Sequence, residues 1–327
     1  MRAFLFLALC LYYLSATGQA VDNMASFRII DSDKYLRLHY ENDYFTATDY
    51  YYTQGINLES VNPSYRKFPL SKILLAPKNS NHQYGISIEH NGYTPTSIES
   101  NTILYGDRPF AAALMLKTFS MSGDSQRHRR ITSSFSLGVI GPAAGGYEMQ
   151  KSIHAWIHGT EPLGWQYQIQ NELVLNYEVG IEKNIMYVQN RLLINAGATA
   201  HVGTLNTKLS SGVTLMYGKL NQRIISIFGR EGKGFAQPGK VYFHLYAQPI
   251  VNAVGYDATM QGGWLFSSAS PYTLTSSQVE HLTFQLNYGA VLSYHSLYLE
   301  YFQTYLTKEF DTGLQHRWGG IRVGVKW

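Results

Sequence analysis

Asn42 and Asp43 stand side by side at the end of one alternating segment, and Thr53 opens the next after a short Tyr-rich stretch. Folded as a hairpin, that spacing brings an amide, a carboxylate and a hydroxyl together. Such oxygen donors suit a hard cation, Ca²⁺ above all, which accepts these ligands in a flexible geometry. The same residues also make ordinary turns, in which Asn and Asp side chains bond nearby backbone, and spacing alone favours that reading. Further on, GPAAGG (Gly141 to Gly146) leads into YEMQKSIHAWIH (Tyr147 to His158). The spacing predicts a helix with Met149, Ile153 and Trp156 or Ile157 on an apolar side, and with Gln150 and His154 sharing another. A neutral imidazole there is suited to take a proton from water near pH 7. His158, one turn on, offers the same group, and a lone histidine on such a helix can equally be an interfacial hydrogen-bonding residue. No GxSxG elbow occurs, so direct attack by water is the simpler hydrolytic chemistry.

The elements that must hold these residues are strands. The 327 residues include 26 Tyr and 29 Gly but only 15% charged residues. A mean hydropathy of -0.17 without long apolar runs argues against membrane-spanning helices. A barrel with a polar interior and a lipid-facing exterior reconciles the two. In LTFQLNYGAVLS, Leu282, Phe284, Leu286, Tyr288, Ala290 and Leu292 fall on one face, with Thr283, Gln285, Asn287, Gly289 and Ser293 on the other. Leu173, Leu175, Tyr177, Val179 and Ile181 repeat the pattern opposite Glu172, Asn176, Glu178 and Glu182, whose charges need water on their side. Similar segments begin near Lys34, Thr53, Gln83, Ala111, Arg130, Arg191, Lys208, Val241 and Ser296. With the closing HRWGGIRVGVKW, where Ile321, Val323, Val325 and Trp327 alternate with Arg322, Gly324 and Lys326, the total is about twelve. The expected fold is therefore all-β: a transmembrane antiparallel barrel of about twelve strands, with a short extracellular-loop helix near 145–158.

The first twenty residues, MRAFLFLALCLYYLSATGQA, place Arg2 before an apolar run and end in small and polar residues, the pattern of a cleaved signal peptide. The run is short for a membrane span. Residues 1–20 are thus expected to be the signal and 21–327 a single barrel domain, since no linker divides the chain. Cys10 is the only cysteine and lies in the signal, so thiol nucleophiles, disulfides and zinc-thiolate sites are excluded from the mature chain. The net charge of +4 is scattered, which gives nucleic-acid binding little support.

With both termini periplasmic, the connections after Tyr40, Tyr93, Val139, Gly203, Tyr256 and Leu306 reach the outer face. ENDYF (Glu41 to Phe45), YYTQG (Tyr51 to Gly55), YTP (Tyr93 to Pro95), GDRPF (Gly106 to Phe110) and GPAAGGYEMQKSIH (Gly141 to His154) all land at that rim. Asn62 to Gln83, with FPLSKILLAP, is a long periplasmic connection where short turns are usual. Asn221 to Lys240, with GREGKGFAQPG, is expected to be a solvated periplasmic loop.

ENDYF, YYTQG, GDRPF and GPAAGGYEMQKSIH, in that order, resemble the outer-membrane lipid A 3'-O-deacylases of the LpxR type. The resemblance runs over the mature chain in strand layout and is specific mainly through WQYQIQNE (Trp165 to Glu172). It implies a twelve-stranded barrel whose active site lies between the wall and a helix of an extracellular loop. It also implies His154 as the catalytic histidine rather than His158, Asn42 and Asp43 as the neighbouring pair, and Thr53 as the small hydroxyl residue. Ca²⁺ dependence follows, with Asp43 and Asn42 at the metal and an ester of lipid A in lipopolysaccharide as substrate. Arg108 and Gln150 are expected to meet the substrate, Arg108 having as its alternative a salt bridge to a rim carboxylate. The pattern departs after YTP, where the family carries basic residues and TSIESN (Thr96 to Asn101) is neutral to acidic, so an outer-membrane phospholipase stays open. A non-enzymatic pore or surface-binding barrel is the other alternative. A monomer is expected.

Overall fold

The computed structural model describes residues 24–46, 50–78, 80–188, 191–228, 240–266 and 269–327. The expected signal peptide, residues 1–20, and the glycine-rich GREGKGFAQPG, residues 229–239, lie outside the described residues.

Twelve strands follow one another: β1 (Tyr35–Asn42), β2 (Tyr51–Val61), β3 (Asn81–Thr94), β4 (Ala111–Asp124), β5 (Arg129–Ile140), β6 (Glu172–Val188), β7 (Leu192–Gly203), β8 (Asn206–Lys219), β9 (Val241–Asp257), β10 (Leu282–Tyr294), β11 (Leu297–Leu306) and β12 (His316–Lys326). Each pairs antiparallel with the next, and β12 pairs with β1, so the sheet closes and has no edge. Among the described residues no helix is long and apolar enough to cross a membrane.

Alternation sets which side chains meet lipid. On β10 and β12, Leu282, Leu292, Ile321, Val323 and Val325 point outward and are exposed, whereas Thr283, Asn287, Ser293 and Arg322 point into the lumen and are buried. Buried charges there must be paired to be tolerated. Arg37 meets Glu59 at 2.9 Å, Arg322 meets Glu300 at 2.8 Å, Lys117 meets Glu89 at 3.0 Å and Arg130 meets Glu182 at 3.2 Å.

The N-terminal segment occupies part of the lumen. Met24 to Ile30 are buried and join the lumen network: Arg28 bonds Glu300 at 3.1 Å, Ser26 bonds Glu182 at 2.7 Å, and Phe27 stacks on Tyr246 with centroids 3.8 Å apart. Asn221 caps α2 (Gln222–Ile227) by accepting from the Ile224 N–H, and Ile224, Ile225 and Phe228 are fully buried. For residues 221–228 the expectation of a solvated loop is therefore corrected. Its apolar residues have a dry surface to cover, because they pack in one cluster with Ile29 and Ile30 of the N-terminal segment, and the Asn221 amide donates to the Ile29 carbonyl at 2.8 Å.

Connections after odd-numbered strands gather at one rim, here called upper, and those after even-numbered strands at the lower rim. Two connections fold back onto the outside of the wall over β3, β4 and β5. One is the upper β5–β6 loop with its helix; the other is the lower β2–β3 connection.

Candidate active site

The local backbone around Thr53 is irregular. Pairing of β2 with β3 slips between Tyr52 and Gln54, leaving Thr53 as the extra residue of a bulge, the kind of feature that re-aims a side chain at a barrel rim. Tyr51 just before it has φ +72°, a left-handed conformation that bulky residues rarely adopt. Its ring packs edge-on against Phe310 and His316, and its hydroxyl accepts from the Leu314 N–H at 3.0 Å. Those contacts hold the strained residue in place.

Asn42 and Thr53 meet across this hairpin. The Asn42 amide donates to the Thr53 carbonyl at 2.5 Å, while its Oδ1 accepts from the Tyr44 N–H at 2.7 Å. The turn-forming alternative thus describes Asn42 as it stands. Asp43 is buried at the start of a 3-10 turn (Asp43–Thr46).

The expected loop helix is α1 (Gly146–Ile157). Gly145 supplies its N-cap with φ +72°, and Gly146 permits close docking: a Cβ there would lie 2.4 Å from the Ala112 Cβ and 2.7 Å from the Trp165 ring. Ala112 shares the outward face of β4 with Leu114 and Leu116, so α1 packs against the exterior of the wall. His90, on the outward face of β3 with Ile88, is buried beneath the same loop, its Nε2 3.1 Å from the Ala144 carbonyl. Gln150 is the buried hinge of the arrangement. It accepts from the Trp165 indole N–H at 2.7 Å and donates to Thr53 Oγ1 at 3.4 Å.

The expected apolar side of α1 is not its buried side. Gly146 and Gln150 are buried, whereas Trp156 is 82% and Ile157 56% exposed. Beneath the helix Ala112 and the Trp165 ring lie close under Gly146, and Thr53 and the Trp165 N–H meet Gln150, so this face selects a glycine and an amide, and the bulky apolar residues turn outward.

His154 lies one turn beyond Gln150. Its Nδ1 is 2.5 Å from the Thr160 carbonyl. A carbonyl oxygen can only accept, so Nδ1–H is the donor, which in the neutral ring leaves the lone pair on Nε2. His158 ends the helix with φ +54°, and the Gly159 N–H closes the last turn on the His154 carbonyl at 2.8 Å. Lys151, on the exposed side, meets Glu161 at 2.8 Å and the Tyr147 hydroxyl at 3.1 Å. These hydrogen bonds, that to Glu161 first, hold its ammonium above the usual lysine range.

Arg108 is elsewhere and occupied. It is buried, bonded to Glu309 Oε2 and Thr259 Oγ1, each at 2.6 Å, and stacked over Tyr93. Its alternative, a salt bridge to a rim carboxylate, is what the geometry contains. Thus Asn42, Thr53 and Gln150 are linked directly, His154 stands one helical turn away, and Arg108 belongs to a separate structural pair. Sequence reasoning missed Trp165, Thr160 and Glu309, whose bonds to Gln150, His154 and Arg108 span 15, 6 and 201 positions; of these only the WQYQIQNE motif gave any signal.

The donor chemistry around Asp43 fits a hard cation in part. Asp43 brings a charged oxygen, and the Asn42 carbonyl oxygen, already accepting once, keeps a second lone pair. Among the described residues, however, no group of three or more His, Cys, Asp or Glu side chains is placed to hold a metal. Remaining ligands would have to be backbone oxygens, hydroxyls or water.

A closed barrel with an apolar outer wall, a charge-paired lumen and a helix clamped to its rim defines a transmembrane protein of the outer-membrane type. The family model described as outer membrane protein LpxR matches residues 5–327, and the chain belongs to that family. Among solved structures, LpxR from Salmonella typhimurium superposes with a TM-score of 0.71 at 19% identity, covering 90% of this chain and 100% of that one. The β domain of the Bordetella autotransporter BrkA matches at a TM-score of 0.46 and 8% identity, covering 91% and 100%. The Pseudomonas putida toluene transporter TodX matches at 0.39 and 9%, covering 92% and 91%. No curated protein matches the sequence.

Proposed function

We propose that this protein is a lipid A 3'-O-deacylase, a carboxylic ester hydrolase acting on lipopolysaccharide in the outer leaflet of the bacterial outer membrane, with the upper rim outside the cell. The observation that carries the reading is the orientation of His154: Thr160 fixes its Nδ1–H, on a helix clamped to the wall through Gln150 and Thr53. Family membership supplies the substrate class. Exposed Trp156 and Ile157 suit contact with acyl chains at a membrane interface.

In this mechanism Nε2 of His154 takes a proton from water as the water oxygen adds to the ester carbonyl. Collapse breaks the ester C–O bond, and the departing sugar oxygen recovers the proton from Nε2–H. The products are a free fatty acid and lipid A lacking one acyl group. Asp43, with Asn42 beside it, would hold Ca²⁺, which when bound polarises the ester carbonyl. Gln150 and Thr53 fix the helix over the wall. Residues 1–20 act as the export signal, and the barrel works as a monomer.

Mass spectrometry of lipid A from cells producing the protein tests the reading, beside His154→Ala and with purified protein in Ca²⁺ or chelator. Loss of one acyl chain that needs both His154 and Ca²⁺ is expected. One observation bears on the substrate: Arg108 is bound to Glu309 and residues 96–101 carry no cation, which suits a differently phosphorylated lipid A or another outer-leaflet lipid. Unchanged lipid A with release of fatty acid from phospholipid would establish the latter.

A further inference from the structure

The lower β2–β3 connection is a strap laid across the outside of the barrel. It runs through two 3-10 turns, Pro63–Lys67 and Pro69–Ile73, and is tied to outward-facing hydroxyls of three strands. Ser71 Oγ is 3.2 Å from Thr118 Oγ1. The Leu75 N–H donates to Ser133 Oγ at 2.8 Å, and its carbonyl accepts from Ser120 Oγ at 2.9 Å. Tyr177 donates its hydroxyl to the Ile73 carbonyl at 2.7 Å. Thr118 and Ser120 share the face of Leu114 and Leu116, and Ser133 that of Leu137; these are lipid-side positions. The strap is therefore matched to a polar patch on a surface that is elsewhere apolar.

Two features say what meets its outer side. Between Asn62 and Lys78 the sequence holds Arg66, Lys67, Lys72 and Lys78 and no acidic residue, and all four cations are exposed. Ile73 and Leu75 are exposed among them, at 49% and 46%. Irregular backbone and ammonium groups are not tolerated against hydrocarbon, so lipid headgroups must reach the strap. The wall agrees. On β4, α1 covers Ala112 and the strap covers Thr118, leaving Leu114 and Leu116 as the exposed apolar positions. Six residues span about 20 Å of strand, or roughly 15 Å of membrane depth after tilt, against the ~25 Å band usual for such barrels. On β10 the outward apolar positions run from Leu282 to Leu292.

We infer that the strap is a binding site for anionic phospholipid of the periplasmic leaflet: its four cations hold headgroup phosphates while Ile73 and Leu75 enter the acyl region. Headgroups are thereby drawn up the wall directly beneath α1, and the bilayer is thinned at the side where the candidate site opens. The assignment to the periplasmic leaflet rests on the sidedness given under Proposed function; the lipid preference does not depend on enzymatic activity.

The test uses the full barrel in phosphatidylcholine nanodiscs carrying a minor fraction of spin-labelled phosphatidylglycerol, with motionally restricted label counted by electron paramagnetic resonance. Wild type should restrict phosphatidylglycerol over labelled phosphatidylcholine by about fivefold or more, the effect of one or more interfacial cations. Neutralising all four (R66Q, K67Q, K72Q and K78Q) should abolish the preference, and the arginine-lysine exchange at the same positions should retain it. Heat-modifiable gel migration confirms that each variant is folded. Equal restriction of the two lipids by wild type, a preference surviving in the folded neutral variant, or displacement by inorganic phosphate would overturn the proposal. Sidedness is read separately: Ser64→Cys should resist an impermeant maleimide on intact cells, and labelling there would sink the orientation without touching the lipid count.

Discussion

The Trp165 indole N–H donates to Gln150 at 2.7 Å, and Gln150 in turn reaches Thr53 on the wall. One amide thus ties the base of the loop, the helix and the bulged strand together. All three side chains are buried. Gln150→Leu keeps the volume but leaves the indole N–H without its acceptor, a cost of about 1–3 kcal/mol. That energy falls on helix docking, since the barrel closes without α1. Acyl release should drop roughly tenfold or more while heat-modifiable migration is unchanged. Wild-type activity in Gln150→Leu would show that α1 is positioned by other contacts.

Gly146 tests the same docking from the backbone side. A valine there collides with Ala112 and with the Trp165 ring, neither of which is a flexible chain end. The helix must lift. Activity should fall at least as far as in Gln150→Leu, and Trp165 fluorescence should shift to the red as water reaches the indole. A folded Gly146→Val barrel with unshifted emission would mean that the wall yields instead.

The barrel was readable in the sequence because its signal is local. Each strand carries its own period-two alternation between lipid and lumen, and observed strands begin within a few residues of those segments. Helix α1 was readable for the same reason, as Gln150 and His154 lie one turn apart. Its orientation was not: the apolar-side rule assumes that large side chains fill the gap beneath a helix, whereas the close approach of α1 to Ala112 and Trp165 buries Gly146 and Gln150 and turns Trp156 outward. Long-range pairs were equally hidden. Arg108 looks like a free rim cation until Glu309, 201 positions away, is found against it. The strap was noticed only as an oddly long connection, because its partners Thr118, Ser120 and Ser133 are unremarkable singly and form a patch only when β4 and β5 pair.

That Arg108–Glu309 pair separates structure from recognition. Both side chains are fully buried, and breaking a buried pair by removing one member typically costs about 3–5 kcal/mol. Arg108→Ala should lower the urea unfolding midpoint in detergent, with any loss of activity restored on shifting to milder conditions. An unchanged midpoint with a raised KM for lipid A would instead assign Arg108 to the substrate.

Thr160 orients His154 through its backbone carbonyl, which no side-chain replacement removes. His154→Ala should therefore abolish acyl release from a folded barrel, whereas Thr160→Ala should change stability by no more than about 0.5 kcal/mol and keep most of the activity. The comparison is sharp because the Nδ1–carbonyl bond joins the two residues directly. Equal losses in both variants would mean that the threonine hydroxyl matters, and would move attention to its contact with Glu99.

The buried segment from Met24 to Ile30 occupies part of the lumen and is tied to its wall. Phe27 stacks on Tyr246, the Phe27 carbonyl meets His244 Nε2 at 3.1 Å, and the Arg28 carbonyl accepts from Arg37 at 2.8 Å. Arg28 also brings a second guanidinium to Glu300, beside that of Arg322. Deleting residues 24–30 removes the stacked ring, three carbonyl acceptors counting that of Ile29, the Ser26 hydroxyl and one of the two cations, but leaves Glu300 paired with Arg322. The strand ladder is untouched, so the barrel should still fold. What remains is a polar channel partly covered by α2. In planar bilayers the intact protein should be electrically silent and the deletion should show discrete conductance steps. Silence in both would mean that the paired lumen side chains and α2 close the channel without the N-terminal segment, and conductance by the intact protein would favour the non-enzymatic pore reading.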